Sequence, residues 1–259
     1  MESRKAFAKE KNAMVTERFA KWAVEFSGCD GGDPRGIWLC GIEFGQGHTE
    51  ENLNLEEDLS KPGYVGGNGW ECWEMKEFPK RQYNQKALKL LCALAGHDVT
   101  KYREFYEAKR CFGENSGYFK LNLYPIGFKD TSPTQWKAWL TERTGFETKD
   151  EYKEWCRKNR FPVLRSWVEK YSPKLIVCTG KTVRADFFRA FADDAQKPMQ
   201  EDSAGKRIWY TVTNAGRTLV AVTYFLGGRH GLKSDLELSA TGTKLAELLG
   251  RIRPGATKA

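Results

Sequence analysis

The amino-acid sequence predicts a three-layer α/β/α domain with a short, mostly parallel central sheet of about four strands. Short apolar runs bounded by turn residues alternate along the chain with longer amphipathic stretches of helical period. Such alternation is typical of parallel strands joined by helices that cover both faces of the sheet. With 259 residues, 40% of them hydrophobic and 13% aromatic, the chain is long enough to bury a core of this kind.

The elements of the first half follow from periodicity and from the residues that bound them. Apolar residues recur at helical spacing in the opening segment, and a turn rich in glycine and aspartate precedes the first apolar run. Gly96 marks the end of a helix, because glycine readily takes the left-handed conformation that closes one. The predicted elements are a helix over 3–27, a strand from 36, helices over 82–95 and 101–110, and a strand over 118–124 that Pro125 stops.

The second half of the chain repeats the alternation and ends in a hairpin and a helix. Ser172-Pro173 introduces an apolar strand, and Asn214-Ala215-Gly216 is a tight turn between two strands. The predicted elements are helices over 133–142 and 149–171, a strand over 174–179, a helix from 180 to 191, strands over 206–213 and 218–224, and a helix over 235–252.

These elements predict one domain with short additions at its ends. We expect residues 1–35 to form a helix and lead-in packed on the domain, 36–252 to form the α/β domain, and 253–259 to be a loose tail. Residues 45–79 are polar and rich in glycine. A structureless segment of that length is unusual inside a domain unless it covers a site, so we ask whether it forms a lid.

Composition restricts the class of protein. The chain has 42 Lys and Arg against 34 Asp and Glu, a net charge of +8 that suits a polyanion such as nucleic acid, although many basic enzymes have no such partner. Seven cysteines show neither a Cys-x-x-Cys pair nor metal-type spacing. With no signal peptide and no run of 18 apolar residues, we expect a reduced, cytoplasmic, prokaryotic-type monomer with no membrane, metal or cofactor.

Two glycine-rich loops carry the residues of greatest chemical interest. Gly41–Gly47 follows the first strand and contains Glu43, and Tyr224–Leu232 follows the last strand and contains His230. The carboxyl ends of parallel strands meet at one edge of a sheet, which is where open α/β proteins bind ligands. The carboxylate and the imidazole are therefore a candidate catalytic pair.

From about residue 36 to 235 the chain resembles the uracil-DNA glycosylase superfamily. Members of that family share a short parallel sheet and two signature loops, Gly-x-(Asp/Asn/Ala)-Pro-(Tyr/Gly) and His-Pro-Ser-x-Leu. Gly41–Gly45 is similar to the first loop, and His230–Ser234 is similar to the second. Leu121-Asn122 resembles the strand whose asparagine reads the pyrimidine, and Pro173–Lys181 resembles the third strand and its turn.

The chain also departs from the family pattern. Phe44 and Gly231 stand where the two loops have proline, and Gly227-Gly228 adds glycine before the histidine. The cysteine quartet that binds an iron–sulfur cluster in some branches has no counterpart.

The resemblance implies a monofunctional DNA glycosylase, which hydrolyses the N-glycosidic bond of a flipped-out pyrimidine and leaves an abasic site. Glu43 would orient the attacking water and face the cationic sugar. His230 would donate a hydrogen bond to the anion that develops on the base, and Asn122 would read the edge of the base. Ordinary alternatives stay open: Glu43 as a helix cap or ion-pair partner, and His230 as a loop residue that contacts phosphate or nothing.

The resemblance also bears on substrate. Gly45 stands where uracil-specific members have a tyrosine that blocks the space beside pyrimidine C5, and Gly227 and Gly228 would widen the pocket. We therefore expect a pyrimidine with a C5 substituent, such as a phage-type glucosylated hydroxymethylcytosine removed in antiviral defence. Phe44 and Tyr124 are candidates to stack on the base.

Further residues are expected to contact DNA, most simply as a duplex. Leu232 would act as a wedge that fills the gap left by the flipped base, and Arg229 and Lys233 would hold the flanking phosphates. Lys181, at a helix start, is another phosphate candidate. Three alternatives remain: uracil excision in DNA repair, a catalytically silent nucleic-acid-binding member of the fold, and an unrelated α/β enzyme that binds a nucleotide through residues 41–47.

Overall fold

The computed structural model describes residues 15–25, 31–45, 47–55, 78–113, 115–130, 132–192 and 197–252. In these ranges the chain forms a mixed sheet with six strands of five or more residues, plus a two-residue strand at one edge. The strands are β1 (Gly31–Gly32), β2 (Ile37–Gly41), β3 (Tyr118–Asn122), β4 (Leu175–Thr179), β5 (Met199–Ser203), β6 (Lys206–Thr213) and β7 (Thr218–Thr223).

The strand order is β1-β3-β2-β4-β7-β6-β5. The central strands β3, β2, β4 and β7 are parallel, while β6 and β5 continue the sheet as antiparallel strands. The α/β class is confirmed, but the sheet is mixed where a mostly parallel one was expected, and the expected number of about four strands is wrong. β5 escaped prediction because it is a largely exposed edge strand that contains Gln200, Glu201 and Asp202, without the apolar pattern of a buried strand.

The helices agree with the predicted order, although several are shorter. The predicted helix over 149–171 is two α-helices joined by a π-helical segment, Cys156–Arg160. Pro162 follows that segment and lacks the N–H group that a continuous α-helix would need there. The helices are α1 (Glu17–Glu25), α2 (Gln82–Leu94), α3 (Tyr102–Lys109), α4 (Ala138–Thr144), α5 (Lys149–Trp155), α6 (Phe161–Tyr171), α7 (Arg184–Phe191) and α8 (Asp235–Gly250).

The sheet separates two hydrophobic clusters, an arrangement compatible with three layers. Trp38 and Phe119 lie on the face covered by α1 and α4–α7, whereas Leu39 lies on the opposite face, covered by α2, α3 and α8. Helices α2 and α8 approach closely at Gly242, where a Cβ would lie 2.6 Å from the Cβ of Ala93. Alternation along each strand therefore assigns side chains to one cluster or the other.

All four parallel strands end at one edge of the sheet, with Gly41, Asn122, Thr179 and Thr223 as their last residues. Pairing continues beyond β2 and β3, because the Leu123 N–H donates to the Gly41 carbonyl at 2.9 Å. The loops that carry the candidate residues all leave this edge. The expected tail, 253–259, and residues 46 and 56–77 of the expected lid segment lie outside the described residues.

Candidate active site

Glu43 lies two residues beyond β2 and forms a buried ion pair with Lys149, the first residue of α5. The Lys149 Nζ is 3.5 Å from Glu43 Oε1, and the lysine and glutamate side chains are 1% and 7% exposed. The ammonium also donates to the Asp130 carbonyl at 3.3 Å and lies 3.7 Å from the centre of the Phe128 ring. Glu43 is thus an ion-pair partner inside the protein, one of the alternatives left open by the sequence, although the sequence did not identify Lys149.

The environment of this pair changes the ionisation of both groups. Burial raises the pKa of Glu43 to about 7, and the positive charges of Lys149 and Lys153 oppose that rise. Burial also lowers the pKa of Lys149, which the carboxylate opposes. Near neutral pH the carboxyl group is therefore populated in both forms, the condition in which a general base works well.

An amide and a phenol converge over Gly41, the residue opposite Asn122 in the sheet. A Cβ placed on Gly41 would lie 2.5 Å from Asn122 Oδ1 and 3.4 Å from the Tyr83 hydroxyl oxygen. Tyr83, from α2, also hydrogen-bonds Thr179 Oγ1 at 2.8 Å. Leu121 and Leu123 lie in the hydrophobic cluster that contains Trp38. The side chain of Asn122 therefore lies on the other face of the sheet, as alternation along the strand predicted. Glycine at position 41 leaves the room that this amide needs.

The last loop adds an exposed aromatic ring to these groups. Phe225 is 41% exposed, and its ring centre lies 5.6 Å from that of Tyr83. We use the name "amide–aromatic cluster" for Gly41, Tyr83, Asn122, Thr179 and Phe225. Asn122 and Thr179 are buried, at 5% and 0% exposure, so Phe225 is the member of the cluster that presents an open surface, and an aromatic ring of this kind can stack on a nucleobase.

His230 lies in the exposed part of the same loop. The loop reverses tightly, since a Cβ on Gly231 would lie 2.0 Å from the Gly227 carbonyl oxygen, and the Leu232 N–H closes it by donating to the Phe225 carbonyl at 2.8 Å. No hydrogen bond, ion pair or ring contact joins His230 to the rest of the described chain. Its imidazole is exposed to solvent and is not fixed by a neighbour.

The structure does not show the contact on which the catalytic-pair hypothesis depends. Strands β2 and β7 are separated by β4, so the ends from which the two loops depart lie about 10 Å apart. Glu43 is directed toward α5, and no described contact links it to His230. Both loops leave the same edge, but the meeting of carboxyl and imidazole on a substrate stays a prediction.

Leu232 is fully buried, so the expectation of a protruding wedge is wrong for this residue. It lies in the cluster of α2 and α8 with Leu226. A capping box between Ser234 and Glu237 fixes the start of α8 immediately afterwards, which directs the preceding chain inward. Phe225 is the large apolar side chain that this loop exposes.

Tyr124 is also fully buried, which does not fit a role in stacking on a base. Its hydroxyl donates to Asp186 Oδ2 at 2.6 Å, and Arg157 donates to the same carboxylate at 2.8 and 3.0 Å. This tyrosine therefore joins the loop after β3 to α7.

Phe44 and His48 anchor the first loop to the loop after β3. The Gly127 N–H donates to His48 Nδ1 at 2.8 Å, and the His48 N–H donates to the Gly127 carbonyl at the same distance. Phe44 is half-buried, and its ring lies edge-on to His48. Gly45 is exposed, and no described atom lies within 4 Å of the position of a Cβ there; Gly228 is similarly open.

A second group of side chains, which we call the basic–aromatic strip, lies beside the end of β7. It consists of Lys181, Arg184, Lys206, Trp209 and Tyr224. The Lys181 and Lys206 ammonium groups lie 4.4 and 4.9 Å from the centre of the Tyr224 ring, and the Arg184 guanidinium lies 5.0 Å from that of Trp209. The two rings are 6.0 Å apart. Three cations thus interleave with two aromatic rings at the sheet edge.

Little negative charge offsets this strip within the described part of the chain. Lys206 pairs with Glu237 at 3.4 Å, but no described carboxylate pairs with Lys181 or Arg184. The nearby Arg229 and Lys233 are exposed and likewise form no side-chain ion pair there. The predicted phosphate candidates Lys181, Arg229 and Lys233 are therefore accessible to an anion.

Sequence reasoning missed Lys149, Tyr83, Thr179 and Phe225. Thr179 ends an apolar strand and Phe225 lies within a loop already singled out, so both carried a detectable signal. Lys149 and Tyr83 lie in the first turns of helices that reach the sheet edge only through tertiary packing. Nothing local in the sequence distinguishes them from solvated helix residues.

Comparison with known proteins assigns this chain to no family, because no family model, curated protein or solved structure matches it. None of the helices described is both long and apolar enough to cross a membrane. The described residues contain no group of three or more His, Cys, Asp or Glu side chains placed to hold a metal ion.

Proposed function

We propose that this protein is a monofunctional DNA glycosylase that hydrolyses the N-glycosidic bond of a flipped-out, C5-modified pyrimidine. The observation that supports this proposal best is that a buried carboxylate, Glu43, follows two residues after Gly41, the residue that packs against the Asn122 amide. Asn122 also pairs directly with Gly41 in the sheet. A base would meet the amide while the carboxylate lies close to its sugar.

In the proposed reaction, water attacks C1′ of the deoxyribose as the bond from C1′ to the base nitrogen breaks. Ionised Glu43 stabilises the cationic sugar and accepts the proton that the water loses. The base leaves with the bonding electron pair, and His230 donates a hydrogen bond to the resulting anion. Asn122 reads the edge of the pyrimidine, with Phe225 against its face.

Two features support a substrate with a bulky C5 substituent. Gly45 is exposed, with no described atom where a side chain would extend, and Gly228 is equally open. Gly227, by contrast, is buried, and a Cβ there would lie 3.3 Å from the Phe225 ring, so this glycine does not add open space. A glucosylated hydroxymethylcytosine of phage type is the example we favour, and its removal would serve antiviral defence.

The basic–aromatic strip supports DNA as the partner. Lysine and arginine bind phosphates, and aromatic rings beside them stack on exposed bases. Arg229 and Lys233 extend this positive surface across the last loop. Leu232 is buried, so the proposal assigns no wedge to it, and Phe225 is kept for the face of the flipped base.

Excision assays test the proposal. Single- and double-stranded DNAs with one uracil, hydroxymethylcytosine or glucosylated hydroxymethylcytosine are incubated with the protein, and alkali-labile abasic sites are counted. We expect sites in at least one modified DNA, and a loss of about 10²-fold or more in Glu43→Gln, because that variant cannot accept the water's proton. Glu107→Gln on α3, an exposed glutamate away from the site, is the matched control and should cleave normally.

A second candidate function is nucleic-acid binding without chemistry. It is favoured by one observation, the absence of any described contact that fixes His230, together with a strip that needs no catalytic residue. DNA binding without abasic sites in any of the substrates would support this candidate and contradict the glycosylase proposal.

A further inference from the structure

Lys149 is a lysine whose charged end lies inside the protein. Its side chain is 1% exposed, and its ammonium contacts the Glu43 carboxylate, the Asp130 carbonyl and the face of the Phe128 ring. Burying an ammonium group costs free energy, so a buried lysine requires strong compensating contacts or has a functional role. The burial is particular to this position, because the next two residues of the same turn, Asp150 and Glu151, are exposed.

We propose that Lys149 is a positioning residue, which holds the Glu43 carboxylate in the orientation and the ionised form that the attacking water requires. This inference rests on the proposed function and adds a residue that the family resemblance does not supply. Lys149 contacts Oε1 of Glu43 at 3.5 Å, so one carboxylate oxygen is tied to α5 and the other is left for the water.

Other charges face Glu43 and must be included in its titration. From α5, Lys153 favours the ionised carboxylate, and the buried Tyr152 lies close enough to interact with it electrostatically. From the loop after β3, Asp130 disfavours ionisation. Burial is the largest influence and raises the pKa of Glu43, while Lys149 is the largest influence that opposes it. Removing the ammonium should therefore move the pKa of Glu43 further upward.

The direction of the pH effect follows from this assignment. The rate of excision depends on ionised Glu43, so it should rise with pH and level off above about 7 in the unaltered protein. In Lys149→Met the rise should move to higher pH, so that excision near pH 6 becomes about tenfold slower if the pKa of Glu43 rises by about 1, and stays nearly normal near pH 9. Methionine suits the apolar contact with Phe128, and Lys149→Arg, which keeps the charge, should restore much of the lost rate.

A structural role alone would lower the rate equally at every pH. Parallel pH–rate profiles of the unaltered protein and of Lys149→Met would therefore overturn the positioning role while the glycosylase proposal stood. A displaced profile that Lys149→Arg restores would support it.

The pKa of Glu43 provides a readout that does not need excision. Carbon-13 NMR of the glutamate carboxyls, assigned with Glu43→Gln, gives this pKa in the protein alone. We expect a higher value in Lys149→Met than in the unaltered protein. An unchanged value would overturn the inference, whereas a raised value in a protein that cleaves no DNA would leave the coupling supported and the proposed function contradicted.

Discussion

The first and last loops of the candidate site leave the same sheet edge but are held in different ways. Residues 41–45 and 47–48 are fixed from outside by the continued pairing with 123–124, the double hydrogen bond between His48 and Gly127, and the ion pair to Lys149. Residues 224–234 are anchored by the buried Leu226 and Leu232 and by the ring contact of Phe225 with Tyr83, but their exposed part, which contains Arg229 and His230, is closed only by the loop's own backbone.

This difference indicates how the Glu43 carboxylate and the His230 imidazole would be positioned for the proposed reaction. Folding alone places the acid, because its neighbours belong to the core. The imidazole is exposed and has no described partner, so we expect DNA binding to complete its position. In the proposed mechanism the acid would be preorganised, and the substrate would position the donor.

The largest effect on the excision rate that follows from this comparison is expected for the replacement of His230. His230→Ala should lower single-turnover excision by about 10²-fold, since a donor to the developing anion is lost. The free energy of unfolding, measured by urea denaturation, should change by less than about 0.5 kcal/mol because the side chain is exposed and makes no described contact. A normal rate, or a large loss of stability, would contradict this account of the last loop.

Paired glycine substitutions compare the two loops directly. Gly231→Ala places a Cβ 2.0 Å from the Gly227 carbonyl oxygen, so we expect the free energy of unfolding to fall by about 1–3 kcal/mol. Gly45→Ala, in the first loop, meets open space and should change it by less than about 0.5 kcal/mol. Equal effects in urea denaturation would mean that the described closure of the last loop is not maintained in solution.

A charge reversal in the basic–aromatic strip should give the smallest effect. Lys181→Glu should weaken DNA binding about equally for modified and unmodified sequences and reduce the slope of log affinity against log salt by about 1, the contribution of one phosphate contact. Lys109→Glu, at the exposed end of α3, is the control of equal charge change. Fluorescence anisotropy at several salt concentrations measures both slopes, and identical slopes would remove the strip from the DNA surface.

The parallel core of the fold was predictable because its signals are local. Ile37–Cys40 and Thr218–Val222 are short apolar runs between turn residues, and Gly96 ends α2 with a positive φ as expected. The edge strand β5 was not predictable in this way, since an exposed strand needs no apolar period. Edge strands depend on pairing with a neighbour, which sequence patterns record weakly.

The candidate site was predictable only in part, for the same reason. Asn122 follows from alternation along its strand, and Glu43 from its place after a strand. The burial of Leu232 and Tyr124 depends on how α8 and α7 pack. The family resemblance therefore suggested roles for these two residues but did not reveal that both are buried. Lys149 reaches Glu43 across 106 residues of sequence, a pairing that only the folded chain shows.

The most direct measurement is a crystal structure of the Glu43→Gln variant bound to DNA that contains glucosylated hydroxymethylcytosine. The account predicts that the modified base lies outside the duplex, against Asn122 and Phe225, with the substituted amide at position 43 beside the sugar and His230 within hydrogen-bond distance of the base. A complex in which the base stays stacked, or in which positions 43 and 230 lie more than a nucleotide's length apart, would contradict it.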